Sequence, residues 1–265
     1  LAKTLLAKEK ESERLKEKEK AALDFERNAE RQKNELITNV AHDLRTPLTT
    51  IVGYLELIKD DTDLPKDDVH KYAGIAYEKS MRLQEMMDDL FEFTKLDNAD
   101  IKLNKSMINL SGLIMQMTDE FYPSFKDCNI TPIVDLPEDN VYVQGDGQLL
   151  ARVFDNLISN ALKYGYHNTD LKIEVIGDEK YATVKVINHG DTISDEDIPL
   201  LFNKFYRTDS SRNSKTGGTG LGLAITKNIV DRHHGTISVE SEDHLTTFIV
   251  KFNRYFDQIA TNNAK

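Results

Sequence analysis

Two long amphipathic patterns separated by a short break constrain the fold of this chain more than any other feature. Apolar residues recur at steps of three and four from Leu36 to Ile58, which is the spacing of one helix face. The segment from Asp60 to Asp67 contains Pro65 and interrupts this spacing, which resumes at Val69 and continues to about Leu103. The pattern predicts a helical hairpin. Because two helices alone have too few layers to enclose a core, we expect two chains to pair as a four-helix bundle.

The segment before the hairpin, from residue 1 to about 35, favours one continuous helix, because it is rich in Lys, Glu, Ala and Leu and lacks Gly and Pro. A seven-residue period runs through it, although Lys8 breaks the period; its members are Leu1, Leu15, Ala22, Ala29 and Leu36. Two interpretations stay open. The segment is either a solvated charged helix or a weak parallel coiled coil that relays a signal from upstream.

After Asn104 the pattern changes to mixed helices and strands. The predicted elements are a helix at 111–126, strands at 130–136 and 141–144, a helix at 147–164 capped by Asp146, a hairpin at 171–177 and 180–188, a short helix near 195–205, a helix at 221–234, and strands at 236–240 and 246–252. This order predicts an α/β sandwich. The expected organisation is an α+β multidomain chain with a signalling helix at 1–30, the hairpin at 31–104, the sandwich at 105–253 and a tail at 254–265.

Charge and cysteine content exclude several classes of protein. The chain of 265 residues has a net charge of −11, which would repel a nucleic-acid backbone. Cys128 is the only cysteine, so it forms no internal disulfide, and its neighbours lack metal-ligand spacing. The sequence contains no apolar run of about 18 residues and no signal peptide. We therefore expect a cytoplasmic fragment of a longer protein, without nucleic-acid or membrane contact.

His42 is the first candidate for chemistry. It lies in the run His-Asp-Leu-Arg-Thr-Pro at residues 42–47, and at about 100° per residue it points about 200° away from Val40 and Leu44 in the apolar stripe. We therefore expect its ring to be exposed. A lone helical histidine is usually surface decoration, but Asp43 can accept a hydrogen bond from one ring nitrogen and leave the other nitrogen nucleophilic.

Two neighbours of His42 bear on the same site. Thr46 lies one turn further along on the same face, where its hydroxyl could orient a water molecule. Pro47 removes an intrahelical hydrogen bond and should bend the helix just past the site. A tolerated kink without a function is the alternative.

Two asparagines define a second cluster. Asn156 and Asn160 are four residues apart in the predicted helix 147–164, so both amides face one side. Their carbonyl oxygens suit a hard cation that also holds nucleotide phosphates, and Lys163 and Tyr164 follow directly. Chance polar decoration of one helix is the alternative.

A glycine-rich turn before an apolar helix is the third cluster. Residues 217–222 read Gly-Gly-Thr-Gly-Leu-Gly, and such a turn exposes backbone N–H groups that can bind phosphate at a helix N-terminus. The turn lacks the Gly-Lys-Ser/Thr ending of a Walker loop. It is not a Rossmann turn either, because no strand precedes it and Leu223 breaks the glycine spacing. By itself it could be a merely flexible loop.

Taken in order, these clusters resemble those of the histidine kinases that join a dimerisation and histidine-phosphotransfer hairpin to a GHKL-type ATP-binding domain of Bergerat fold. The resemblance covers about residues 30–253. Residues 42–47 are similar to the H box of this family, 156–164 to its N box, 202–207 (Phe-Asn-Lys-Phe-Tyr-Arg) to its F box and 217–222 to its second glycine box. Within the family the chain looks most like sensors of the vancomycin-resistance type.

The resemblance implies a two-component sensor kinase that uses Mg-ATP to phosphorylate His42. It implies Asp43 as an orienting base, Thr46 as the residue that positions water when the enzyme dephosphorylates its partner, and Mg²⁺ on Asn160 with a contribution from Asn156. The implied ATP-binding residues are Asn156, Asn160, Lys163, Tyr164, Asn188, Gly190, Phe205, Arg207, Gly218, Thr219, Gly220, Leu221 and Gly222. The implied partners are a second copy of the chain and a response regulator that accepts the phosphoryl group on an aspartate. The parent protein would be anchored in the bacterial plasma membrane.

One stretch departs from the family pattern. Where the first glycine box usually reads Asp-x-Gly-x-Gly, this chain reads Asn-His-Gly-Asp-Thr from Asn188 to Thr192. The Asn188 carbonyl can still accept a hydrogen bond from the adenine amino group, but without charge that bond is weaker by about 1 kcal/mol. We therefore expect a low affinity for ATP and, without a glycine at position 192, a stiffer lid.

Two other functions stay open from the sequence. A GHKL ATPase would carry a glutamate four residues before the metal-binding asparagine, but Asn156 occupies that position and has no basicity. A catalytically weak dimeric scaffold that merely binds a regulator is supported only by the altered first glycine box. His42, Asn160 and the turn at 217–222 favour the kinase.

Overall fold

The computed structural model describes residues 20, 27, 38, 40–61, 63–97, 102–208 and 219–256. The helix expected at residues 1–35 and most of the expected tail therefore lie outside the described residues. The chain divides into two compact units, Leu1–Met86 and Met87–Lys265. Within the described part, none of the helices has the length and apolar character needed to cross a membrane.

The first unit contains the predicted helical hairpin. Helix α1 covers residues 40–60, and helix α2 covers Lys66–Asp97, whose last turns belong to the second unit. Helix α2 begins directly after Pro65, and Asp67 and Asp68 in its first turn interact favourably with the positive end of the helix dipole. The sequence pattern predicts that this helix continues to about Leu103, but residues 102–105 are not helical.

The hairpin buries only part of its apolar surface. Pro47 and Ala76 are buried, and the rings of Tyr54 and Tyr72 meet with their centroids 5.4 Å apart. Three apolar side chains of α1, spaced by three or four residues, remain exposed: Leu48, Val52 and Leu55. One hairpin by itself therefore leaves an apolar stripe uncovered.

The second unit is an α/β sandwich, as the sequence predicts. Its elements are β1 (Ser106–Asn109), α3 (Leu110–Glu120), α4 (Tyr122–Asp127), β2 (Thr131–Asp135), β3 (Tyr142–Gly145), α5 (Gly147–Tyr164), β4 (Asp170–Gly177), β5 (Tyr181–His189), one turn of 3₁₀ helix (Ile198–Leu200), α6 (Gly222–Arg232), β6 (Thr236–Glu242) and β7 (Leu245–Asn253). The main sheet has the strand order β2-β4-β5-β7-β6, and β1 pairs with β3 in a separate ribbon. Strand β2 is parallel to β4, and the other neighbours in the main sheet are antiparallel.

The core lies between the main sheet and helices α3, α5 and α6. Alternate residues of β4 and β5 face this core, and so does one side of α5; the buried members are Leu150, Val153, Phe154, Leu157, Ile158, Ile173, Val175, Val184 and Val186. Each such side chain contributes about 1.5–3 kcal/mol when it leaves water. The position of α5, which carries both asparagines of the second cluster, is therefore fixed by its packing.

The prediction of one helix at 111–126 is wrong, because this segment forms two helices. Helix α3 ends at Glu120 and α4 begins at Tyr122, with Phe121 between them. Pro123 has no N–H to donate to the carbonyl of Asp119, so the first helix cannot continue and a new one begins.

Two further local features of the structure differ from the sequence analysis. The short helix expected near 195–205 is a single 3₁₀ turn at Ile198–Leu200, and the backbone of Phe205 adopts a left-handed φ of 62°, which no helix accommodates. Strand Ser106–Asn109 was not predicted. It has only four residues, and it forms because it pairs with β3, a partner that local periodicity does not reveal.

Candidate functional site

The exposed histidine of α1 lies beside its expected partner. The His42 side chain is 77% exposed, and its Nδ1 is 3.4 Å from Asp43 Oδ1. Because a carboxylate can only accept, this contact favours the tautomer with its hydrogen on Nδ1 and a bare Nε2. The Thr46 hydroxyl donates to the His42 carbonyl oxygen at 3.3 Å. The geometry therefore presents an accessible ring nitrogen with a hydroxyl one turn away.

The two asparagines of α5 occupy different environments. Asn156 is only 9% exposed, and its Nδ2 donates to the Gly222 carbonyl oxygen at 3.1 Å and to Thr226 Oγ1 at 3.2 Å. Asn160, one turn further along, is half-buried. Both hydrogens of the Asn156 amide are thus used within the protein, and its carbonyl oxygen is the atom left for a cation. This pairing brings the N box against the start of α6.

The first glycine box lies against the end of α5. An antiparallel bridge joins Gly190 to the residue after α5, and the Tyr166 N–H donates to the His189 carbonyl oxygen at 2.8 Å. A side chain at Gly190 would come within 2.8 Å of the Tyr164 carbonyl oxygen, so this approach requires glycine. Asn188 is buried, and its Nδ2 donates to the same His189 oxygen at 3.3 Å. The carbonyl oxygen of Asn188 is therefore left to accept a hydrogen bond.

The F box and the second glycine box meet through their backbones. The Phe205 N–H donates to the Gly220 carbonyl oxygen at 2.9 Å, and both residues are left-handed, with φ of 62° and 69°. A side chain at Gly220 would lie 2.8 Å from the Phe205 backbone. Leu221 is buried and Gly222 begins α6, whereas Gly218 lies outside the described residues. The base of the turn is thus fixed by a close backbone contact.

Two cationic side chains accompany these boxes. Lys163 in the last turn of α5 is half-buried, with its Nζ 5.3 Å from the centroid of the exposed Tyr164 ring. Arg207, at the end of the F box, is also half-buried. The last turn of α5 and the end of the F box therefore each carry a positive charge.

An ionic cluster that the sequence analysis missed lies within the second unit. Arg152 of α5 pairs with Asp89 at 2.6 Å, Glu92 at 2.8 Å and Asp155 at 2.7 Å, and Asp89 also accepts from the Thr219 hydroxyl at 2.8 Å. Burial raises the pKa of Asp89 above its usual range, although Thr219 and Arg152 oppose this rise. The spacing of Asp89 and Glu92 indicates one helix face, but nothing in the sequence names Arg152 or Thr219 as their partners.

Comparison with known proteins assigns both units. Residues 32–99 match the model of the His Kinase A (phospho-acceptor) domain, and residues 145–255 match that of the histidine kinase-, DNA gyrase B- and HSP90-like ATPase. Over 251 residues the chain is 39% identical to the sensor protein VanSC of Enterococcus gallinarum, which covers 95% of this chain and 69% of that relative. The chain belongs to the sensor histidine kinases. The phospho-acceptor match includes His42, and the ATPase match indicates that the sandwich of this sensor histidine kinase uses ATP.

Two further relatives extend the comparison. The sensor protein VanS of Enterococcus faecium is 41% identical to this sensor histidine kinase over 223 residues, or 84% of this chain and 58% of VanS. The chain thus spans little more than half the length of VanS. The solved structure of histidine kinase ThkA in complex with response regulator protein TrrA matches with a TM-score of 0.70 and 26% identity, over 83% of this chain and 61% of that chain.

Proposed function

We propose that this sensor histidine kinase binds Mg-ATP on its sandwich domain and transfers the γ-phosphoryl group to Nε2 of His42. The observation that carries the proposal is the accessible His42 ring, whose Nδ1 faces the Asp43 carboxylate at 3.4 Å. A neutral, exposed imidazole with one nitrogen engaged and the other bare is a suitable nucleophile.

The nucleotide would lie between α5 and the segment that leads into α6. Asn188 and Gly190 would meet the adenine. The phosphates would be met by Lys163, Tyr164 and Arg207, by the backbone around Phe205, and by the second glycine box, with Gly218, Thr219, Gly220, Leu221 and Gly222. The contacts among these segments support this placement, because each box touches a neighbouring one through the backbone or through Asn156.

Mg²⁺ would be held by Asn160, with the Asn156 carbonyl contributing. Among the described residues no group of three His, Cys, Asp or Glu side chains could hold a metal, so the protein would supply few ligands and phosphate oxygens the rest. That division is usual for Mg²⁺, which keeps few protein ligands. When bound, the ion would neutralise phosphate charge.

At His42 the transfer makes one bond and breaks one. The Nε2 lone pair forms a bond to the γ-phosphorus, and the bond from that phosphorus to the bridging oxygen breaks, so ADP leaves with the electron pair. The ring becomes cationic while Nδ1 keeps its hydrogen. Asp43 stabilises that charge, and loss of the Nδ1 proton to Asp43 or to water restores a neutral ring.

We infer two protein partners. A second copy of the chain would cover the exposed stripe of α1, and a response regulator would accept the phosphoryl group on an aspartate, an inference that the complex of ThkA with TrrA supports. Thr46 would position water when the enzyme acts as a phosphatase of that regulator. The parent protein would be anchored in the bacterial plasma membrane with this portion in the cytoplasm.

The rival functions have less support. An ATPase without a protein acceptor needs a base for water, but Asn156 has no basicity and its nitrogen is bound to Gly222 and Thr226. A scaffold without catalysis would not need the exposed ring of His42 to be paired with Asp43.

The test is labelling with radioactive Mg-ATP. We expect acid-labile, base-stable label on the wild type and on His70→Gln, which alters another exposed histidine of the hairpin, and no label on His42→Gln. All three proteins should bind ATP equally, because neither His42 nor His70 is among the proposed ATP-binding residues. Label on His42→Gln at the wild-type level would contradict the proposal. ATP hydrolysis without label on the wild type would favour the ATPase. ATP binding without hydrolysis and without label would favour the scaffold.

A further inference from the structure

A buried histidine, His233, lies outside the proposed nucleotide site and connects helices α5 and α6, which border that site. His233 directly follows α6 and is only 7% exposed. Its Nδ1 is 2.8 Å from the Ile229 carbonyl oxygen, and the Asp146 backbone N–H donates to its Nε2 at 2.9 Å. A carbonyl oxygen can only accept and a backbone N–H can only donate. The ring is therefore neutral, with its hydrogen on Nδ1.

The ring is held in place by its surroundings. The uncharged Phe252 of β7 meets it edge-on, with centroids 6.2 Å apart. A side chain at Gly145 in β3 would come within 2.9 Å of the ring. Directly after it, His234 takes a left-handed φ of 56° and ends the helix, donating its N–H to the Asp231 carbonyl oxygen at 2.9 Å. These contacts hold the His233 ring in place, so the ring does not move with Asp146 if that residue shifts.

The residue that His233 holds is the N-cap of α5. The Asp146 carboxylate accepts from the N–H groups of Gln148 at 3.2 Å and Leu149 at 3.4 Å, which satisfies donors that the helix start leaves open. It also accepts from the Asn104 N–H at 3.0 Å. Through Asp146, His233 therefore fixes the start of α5 to the end of α6.

Helices α5 and α6 have a second connection nearer the nucleotide site, through the hydrogen bonds of Asn156 to Gly222 and Thr226. The two connections on α5 are ten residues apart, or about 15 Å along the helix. Apolar packing sets where α5 lies, and these two connections add polar contacts at both ends of its contact with α6. If only the Asn156 connection remains, the start of α5 is held by packing alone and can shift, which would move Asn160 relative to the turn at Gly220.

We propose that His233 is a positioning residue for the nucleotide site: its neutral Nε2 holds α5 against α6, and protonation of the ring releases the start of α5 and weakens nucleotide binding. This inference rests on the proposed ATP site. Protonation would break this connection because it puts a hydrogen on Nε2. Nε2 could then no longer accept a hydrogen bond from the Asp146 N–H, and two donors would face each other.

The charges around His233 decide where this effect falls on the pH scale. Burial is the largest cause that lowers the pKa of His233 below its ordinary value of 6.5, and Lys105 and His234 act in the same direction. The hydrogen bond to the helix carbonyl and the Asp146 carboxylate oppose it. Because the folded ring resists protonation, the connection is intact at neutral pH and is lost only as the pH falls through the lowered pKa of the folded ring, which lies below 6.5.

The experiment compares Mg-ATP affinity by calorimetry at pH 7.5 and pH 5.0 for the full chain. His233→Gln keeps an oxygen near the position of Nε2 but does not titrate, and His233→Leu removes the acceptor. His70→Asn, at an exposed histidine of the hairpin, is the control. At pH 7.5 we expect wild-type affinity for the Gln and Asn variants and a loss of about fivefold to tenfold for the Leu variant. Thermal melts confirm that each variant is folded.

The change with pH separates positioning from a purely structural role. The wild type and His70→Asn should lose up to about fivefold more affinity than His233→Gln does when the pH is lowered from 7.5 to 5.0, since protonation of ATP itself affects every protein equally. An equal pH dependence of the wild type and the Gln variant would overturn the inference. So would wild-type affinity of the Leu variant, or a Gln variant as weak as the Leu variant at pH 7.5. If the wild type fails to bind Mg-ATP at pH 7.5, the proposed function fails, and this inference with it.

Discussion

Amide side chains occupy two positions of the proposed nucleotide site where related proteins carry carboxylates, and the structure gives a separate physical reason for each amide. Asn156 donates two hydrogen bonds, to Gly222 and Thr226, which a carboxylate cannot do. Asn188 donates one, to the His189 carbonyl oxygen, and this bond orients its own carbonyl as an acceptor. The first amide therefore serves the packing of α5 on α6, and the second is suited to the adenine amino group.

Asn188→Asp should bind ATP about fivefold more tightly, because a charged acceptor gains about 1 kcal/mol over a neutral one. Without ATP the same variant should melt at a lower temperature than the wild type, since a buried carboxylate repels the His189 carbonyl oxygen to which Asn188 donates. Calorimetry and thermal melts measure the two effects. Asn140→Asp, in an exposed loop, is the control and should change neither. Unchanged ATP affinity of Asn188→Asp would contradict the role of Asn188 at the adenine.

Gly220→Ala should weaken ATP binding at least tenfold and lower the melting temperature. Its φ of 69° costs an L-residue about 1–2 kcal/mol, and the new methyl group would lie 2.8 Å from the Phe205 backbone, so the base of the turn must shift. Gly74→Ala is the control, and its melting temperature should rise. Gly74 lies in α2 with nothing within 4 Å of a new side chain, and alanine favours a helix by about 1 kcal/mol. A Gly220→Ala protein with wild-type affinity would show that this turn does not contact the nucleotide.

Among the elements, those with local signals could be predicted and those with distant partners could not. Helix α5 has its predicted bounds, because Asp146 caps it and its apolar face repeats at helical spacing. The turn between β4 and β5 was predicted at Asp178, whose Oδ1 accepts from the N–H groups of Lys180 and Tyr181. By contrast, the last turns of α2 pair with Arg152 across 63 positions of sequence. No periodicity encodes such a pairing.

Arg152→Met should destabilise the second unit by about 2 kcal/mol, because it leaves Asp89, Glu92 and Asp155 without their shared cation while it keeps most of the apolar stem. Denaturant unfolding measures the change. Lys227→Met breaks only the exposed pair with Asp231 and should cost less than about 0.5 kcal/mol.

The pH dependence gives a second check on this cluster. Burial raises the pKa of Asp89 above its ordinary value of 3.8, so the folded state binds its proton more tightly than the unfolded chain does, and stability falls as the pH rises above that value. Removal of Arg152 raises the pKa of Asp89 further. The loss of unfolding free energy caused by Arg152→Met should therefore be larger at pH 7.5 than at pH 4.5. A deficit that does not vary with pH would contradict the role of the carboxylates.

At the scale of the whole molecule, the sequence predicted the classes of both units but not all of their internal order. The hairpin followed from two amphipathic stripes and the sandwich from alternating helices and strands. Strand β2 lies parallel to β4, and β7 lies antiparallel between β5 and β6. Both placements depend on contacts between distant segments, so local patterns could not predict them. His42 lies in the first unit, and the proposed ATP-binding residues lie in the second.

The exposed stripe of α1 leads to the prediction for assembly. Val52 and Leu55 are 44% and 51% exposed, and burial of each against a second hairpin would contribute about 1–2 kcal/mol per chain, and twice that for a symmetric pair. The double variant Val52→Glu/Leu55→Glu should therefore be monomeric in sedimentation at concentrations where the wild type is dimeric, because like charges would face each other across the twofold axis. Lys59→Glu changes charge on the same helix at an exposed position and should remain dimeric. The double variant should still bind Mg-ATP like the wild type, since Asn160 and the other proposed ligands lie in the second unit. A dimeric double variant would place the interface elsewhere on the chain.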